Sequence, residues 1–137
     1  MSQQAVTFAV VAMFSWGVWT VLANEATRTI HPEVAMILSY AASVVLAVGF
    51  VAFRHDTLEL HREGISFALA AGIFAGIGAI AFYAALSHGR VGIVVTISAL
   101  YFVVAAVLGV LFLGETLTPR QALGIGFAVL AVVLVAG

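Results

Sequence analysis

The sequence contains no cysteine and no lysine, and it has only two prolines. Without cysteine the chain forms no disulfide, no thiolate metal site and no cysteine nucleophile. Charged residues make up 8% of the chain, against about 25% in an ordinary globular domain. These residues are too few to build a surface that faces water. The net charge of −1 leaves no basic face for nucleic acid, so we expect no nucleic-acid partner.

Hydrophobic residues make up 64% of the chain and are gathered in five long runs. A helix needs roughly 20 apolar residues, at 1.5 Å each, to cross a hydrocarbon core about 30 Å thick. Four runs reach that length, and the fifth reaches it if its helix begins near Pro119. We therefore expect an all-α integral membrane bundle whose solvent is the lipid bilayer, folded as a single five-helix domain over residues 1–137. The predicted spans are 4–24, 33–53, 65–87, 91–113 and 119–136.

Local signals mark where some of these helices begin and end. Thr118 is placed to cap the last helix, Pro119 suits its first position, and the Gln121 side chain can reach back to complete a capping box. Gly89 and Gly114 follow apolar runs, where a left-handed residue often ends a helix.

Small residues predict surfaces where helices approach closely. Gly72 and Gly76 form a G-x-x-x-G pair, and Gly124 and Ala128 have the same spacing. Such pairs allow backbones to meet in lipid. The pattern is compatible with packing inside one chain or with contact between subunits.

Five spans place the two ends of the chain on opposite sides of the membrane. Arg54, Arg62 and Arg120 share the side of residue 1, and Arg28 and Arg90 share the other. This small excess favours a cytoplasmic N-terminus but is compatible with insertion in both orientations. Inverted repeats create a substrate site at the midplane of many transporters, and one five-helix unit is half of such an arrangement. We therefore expect a homodimer, parallel or antiparallel.

Several segments resemble the EamA-type unit of the drug/metabolite transporter superfamily. The resemblance is strongest from Gly114 to Gly124, which reads Gly-Glu-x-Leu-Thr-x-x-Gln-x-x-Gly, and it includes the Ser15-Trp16-Gly17 triplet in the first helix. It also covers residues 83–87 and 94–100, and so spans essentially all five helices. The resemblance implies a multi-pass transporter of the plasma or inner membrane that carries a small molecule. Most members look like two fused units, whereas this chain resembles one.

The fourth helix departs from the family pattern. Family members commonly have a proline after the Ser-x-x-Tyr stretch, whereas Tyr101 is followed here by Phe102. Without proline the backbone bond to the preceding turn is kept. We therefore expect an unbroken helix over 91–113.

No charged residue lies deep in any predicted span, so the chain lacks the intramembrane glutamate of the related small multidrug exporters. Aromatic side chains with a polar atom remain as candidates to line a substrate pathway. Their alternative role is to anchor the helices at the membrane interface. The candidates for the pathway are Trp16, Tyr40, Tyr83 and Tyr101.

The polar loops contain no recognisable reactive site. His55, Asp56, Glu59 and His61 lie in a charged loop without zinc-like spacing, so we expect no metal site. Glu115 either holds its turn or pairs with Arg120. No nucleophile–base motif or phosphate-binding loop is present, which favours a non-enzyme without cofactors. A transporter of small metabolites is the first functional hypothesis, and a membrane scaffold or assembly subunit is the alternative.

Overall fold

The computed structural model describes residues 2–54 and 60–137, and this part of the chain is all-α. All five predicted segments are helical, and the fourth is divided in two. The helices are α1 (Gln3–Ala26), α2 (Pro32–Arg54), α3 (Arg62–His88), α4 (Val91–Ser98), α5 (Tyr101–Phe112) and α6 (Pro119–Ala136).

Four segments are long and apolar enough to cross a membrane. They are α1, α2, α3 and the combined segment of α4 and α5, with 24, 23, 27 and 22 residues. Helix α6 has 18 residues and is the shortest of the five segments. At 1.5 Å per residue it spans about 27 Å, slightly less than a typical hydrocarbon core.

The prediction of an unbroken fourth helix is wrong. A tight turn at Ala99 and Leu100 separates α4 from α5, although neither residue is followed by proline. The N–H of Leu100 donates to Ile97 at 3.1 Å and that of Val103 to Leu100 at 2.9 Å, which are the i to i−3 bonds of a 3₁₀ turn. These bonds interrupt the α-helical ladder without the loss of an N–H group that proline would cause.

The connection between α5 and α6 is held by local bonds. Gly114 has a φ of 67°, and the N–H of Glu115 donates to the Gly109 carbonyl at 3.1 Å. The Glu115 carboxylate lies over Gly109, with Oε2 2.7 Å from where a Cβ would stand. Glu115 and Arg120, both described, form no ion pair with each other, so the turn-holding alternative is the one supported.

Two further local predictions had different outcomes. The capping box is confirmed, since Gln121 N–H donates to Thr118 Oγ1 at 3.3 Å and the Thr118 N–H donates to Gln121 Oε1 at 2.8 Å. The prediction of a left-handed residue at Gly89 is wrong. Among the glycines of the described chain, positive φ is found at Gly114. Gly89 lies instead in a short bend before Val91.

The described residues form two compact units, one up to His88 and the other over Gly89–Gly137. In the first unit α1, α2 and α3 pack against one another in pairs, and in the second α4 packs against α6. A single domain over residues 1–137 therefore stays a prediction. The alanines Ala23, Ala35 and Ala79 are buried in the first unit, one from each helix.

The glycine pair of α3 has no partner within its own unit. A Cβ built on Gly72 or on Gly76 would meet no other described atom of that unit within 4 Å. On α1, a shallow apolar depression surrounds Gly17, between Phe14 and Val21. Both surfaces leave room for close approach by another helix.

The number of spans, four or five, depends on whether the short α6 crosses the membrane, and we predict that it does. A double variant with cysteine at Gln3 and Gly137, exposed to an impermeant thiol reagent from one side of sealed vesicles, should acquire one adduct per molecule. This result is independent of orientation, because opposite ends always face opposite sides. The native chain, which has no cysteine, is the blank. Molecules carrying zero or two adducts would leave α6 as a helix that does not span.

Candidate functional site

The helices of the first unit bring polar and aromatic side chains together at one level of the membrane. Trp19 lies seven residues before the end of α1, Ser39 seven residues after the start of α2, and Phe82 six residues before the end of α3. At 1.5 Å per residue, all three lie about 10 Å inside the same end of this three-helix unit. The site is therefore within the span and not at its rim.

One hydrogen bond joins α1 to α2 at this level. The indole Nε1 of Trp19 donates to the Ser39 hydroxyl at 2.8 Å. Other hydroxyls in the unit bond within their own helix: Thr20 donates to the Trp16 carbonyl at 2.8 Å and Ser43 to the Ser39 carbonyl at 3.0 Å. The indole bond thus ties one point of α1 to one point of α2.

The aromatic rings of α1 and α3 form a compact cluster. Trp19 stacks on Phe82 with ring centroids 5.5 Å apart and planes 15° from parallel. Tyr83 meets both rings edge-on, at 6.0 Å from Trp19 and 6.4 Å from Phe82. Such arrangements follow the quadrupoles of the rings and stabilise the contact by about 1 kcal/mol beyond its area. We call Trp19, Ser39, Phe82 and Tyr83 the aromatic cluster.

Tyr83 is the most deeply buried large side chain of the unit, with 1% of its surface exposed. Its hydroxyl has no hydrogen-bond partner within the described residues. Tyr40, the residue after Ser39 on α2, is 41% exposed. An unpaired buried hydroxyl costs roughly 1–3 kcal/mol, so it calls for a specific explanation.

The predicted pathway residues have different environments. Tyr83 belongs to the aromatic cluster, whereas Tyr40 on α2 is 41% exposed and Trp16 on α1 is 60% exposed. Tyr101 belongs to the second unit, where it begins α5 and is 62% exposed. A substrate-pathway role for these four residues stays a prediction.

The four pathway candidates chosen from the sequence did not include Trp19, Ser39 or Phe82, which make most of the contacts in the cluster. One signal was available. The buried alanines Ala23 and Ala79 lie four residues after Trp19 and before Tyr83, on the same helix faces.

The charges of the first unit lie at the ends of its helices. Glu25 and Arg28 form an ion pair at 3.0 Å beyond the cluster, and Glu33 opens α2. Helix positions between these ends hold no acidic or basic side chain. The aromatic cluster thus offers ring surfaces and hydroxyl groups in an uncharged setting, which suits binding.

Of the charged loop considered for a metal site, residues 55–59 lie outside the described residues.

The chain matches the sequence profile of the EamA-like transporter family over residues 3–137. It belongs to this family, and it is a multi-pass membrane protein. An uncharacterized protein of Methanocaldococcus jannaschii is 27% identical over 124 residues, which cover 90% of this chain and 89% of the relative. No solved structure matches the chain significantly.

We predict that Trp19 and Ser39 are energetically coupled. Trp19→Phe removes the indole donor, and Ser39→Ala removes its acceptor. Each should lower the free energy of unfolding by about 1 kcal/mol, and the double variant should lose little more than one of them, because only one bond is lost. Unfolding in micelles by titrated dodecyl sulfate measures these values. Ser66→Ala, which removes an α3 hydroxyl bonded to its own helix, is the control and should add independently to Trp19→Phe. Fully additive losses at Trp19 and Ser39 would contradict the coupling.

Proposed function

We propose that the protein transports a small organic metabolite across the cell membrane and acts as a dimer of five-helix units. Family membership supports the class of activity. The observation that carries the proposal is the unpaired Tyr83 hydroxyl inside the aromatic cluster, buried within the three-helix unit. A purely structural core gains nothing from an unpaired hydroxyl, whereas a binding site gains a donor for its ligand.

The exposed surface of the first unit supports assembly. Large apolar side chains face outward along all three helices, and the Gly72–Gly76 pair has room for a neighbouring backbone. Lipid covers apolar side chains well, but close packing of small residues is a source of helix association that lipid does not replace. A second unit, placed in the inverted orientation, would create the midplane site that many transporters use.

The alternative is a membrane scaffold whose outward faces bind other proteins. The same exposed glycine pair and the depression at Gly17 support it. A scaffold has no use for the unpaired hydroxyl in its interior, so the two functions differ in what they require of Tyr83. A transport assay on the purified protein alone distinguishes the transporter from the scaffold.

Purified protein in sealed proteoliposomes should accumulate at least one compound from a panel of metabolites that first raise its thermal stability. Tyr83→Ala should lower the initial uptake rate by about tenfold or more, because it removes both the donor and the ring surface. Ser66→Ala and empty liposomes are the controls. A folded protein that neither is stabilised by, nor moves, any compound of the panel would favour the scaffold.

Orientation decides whether the dimer is antiparallel. Added arginines after Gly137 with removal of Arg54 and Arg62 should place the whole population in one orientation. In the antiparallel arrangement this biased variant loses transport, and co-expression with an oppositely biased variant restores it. Cysteine accessibility verifies each orientation. Full transport by a uniformly oriented population would exclude the antiparallel dimer and leave the transporter in place.

A further inference from the structure

The Tyr83 hydroxyl is the buried donor that the aromatic cluster leaves for a ligand. The indole N–H of Trp19 is already bonded to Ser39 at 2.8 Å. The Tyr83 hydroxyl is unpaired within the described chain and closed off from water. Tyr40, the residue after Ser39 on α2, is 41% exposed, against 1% for Tyr83. A molecule that reaches Tyr83 therefore meets a hydrogen-bond donor that has no acceptor.

The uncharged setting limits what this molecule can be. The nearest acidic side chains along the helices, Glu25 and Glu33, are each six residues from the cluster, or about 9 Å along the axis, and the nearest basic one is His88 at the end of α3. The Glu25 carboxylate is already paired with Arg28. A full charge moved to the cluster would lose its hydration without a counter-ion, at a cost of several kcal/mol. A neutral molecule avoids this cost.

The rings limit its shape. Trp19 and Phe82 are stacked with planes 15° apart, and Tyr83 stands edge-on to both. The faces that Trp19 and Phe82 turn toward each other are already in contact, but both residues stay partly exposed. Their outer ring faces favour a planar or aromatic ligand.

We propose that the substrate is an uncharged, planar organic molecule with an acceptor oxygen or nitrogen, to which the Tyr83 hydroxyl donates a hydrogen bond. This inference rests on the proposed transport function and deepens it. The unpaired hydroxyl of the empty protein is then the group that the substrate satisfies.

Three small probes of nearly equal shape test the class of substrate. Benzamide is neutral and carries an acceptor carbonyl, benzamidinium is its cation, and benzoate is its anion. With purified full-length protein in nanodiscs, benzamide should raise the melting temperature at millimolar concentration. Each charged probe should bind about tenfold more weakly or not at all, because the site has no counter-ion. Equal or tighter binding of a charged probe, or no binding of benzamide, would overturn the inference.

Tyr83→Phe tests the donor separately. Without ligand it should be as stable as the native protein or more stable, because it removes a buried hydroxyl that has no partner. Its affinity for benzamide should fall about tenfold, the loss expected for one buried hydrogen bond that is no longer made. Ser66→Ala should change neither quantity. An unchanged affinity in Tyr83→Phe, or a large loss of stability without ligand, would show that the hydroxyl has a structural partner instead.

Failure here is distinguishable from failure of the transport proposal. If a charged metabolite accumulates in proteoliposomes while benzamide does not bind, the substrate class is wrong and transport stands. If benzamide binds with the expected dependence on Tyr83 but no compound crosses, the binding site stands and transport is wrong.

Discussion

In lipid every backbone polar group must be paired inside the chain, and the rest of this structure depends on that constraint. It makes the described segments helical and directs hydroxyl groups to their own backbones, as with Thr20 and Trp16, or Thr96 and Gly92 at 2.6 Å. Polar contacts between helices are consequently scarce. The bond from Trp19 to Ser39 therefore carries unusual weight in setting how α1 and α2 fit together.

The segment that most resembles the family, Gly114 to Gly124, has a structural explanation in this chain. Gly114 takes a left-handed conformation that other residues adopt at a cost of about 1–2 kcal/mol. Glu115 then closes the turn onto Gly109, and Thr118 and Gln121 cap the next helix. The motif thus stops α5 and starts α6 within a few residues. In this structure the glutamate in this position contacts the chain's own turn.

The prediction of the helical segments and of the cap at Thr118 from sequence succeeded because both depend on local chemistry. Length and apolarity define a membrane helix, and the cap between Thr118 and Gln121 is formed by neighbours in sequence. The turn at Ala99 and Leu100 was missed because a 3₁₀ turn needs no special residue.

The sequence did not predict which face of each helix packs against its neighbours, and the reason is different. A helix surrounded by lipid is apolar on all sides, so its pattern does not show which side meets its neighbours. Trp16 and Trp19 look alike in the sequence, yet Trp19 is bonded and stacked within the unit while Trp16 is 60% exposed.

An unpaired hydroxyl and an exposed glycine pair would both be defects in an isolated, rigid protein. Both features are consistent with the proposal that the protein binds a substrate and a second copy of itself. The Tyr83 hydroxyl keeps the empty state slightly less favourable, by about the value of one hydrogen bond. Around this hydroxyl, Ala23, Ala35 and Ala79 let the helices approach closely. Because the hydroxyl is closed off from water, the proposed substrate could reach it only after the packed helices move apart.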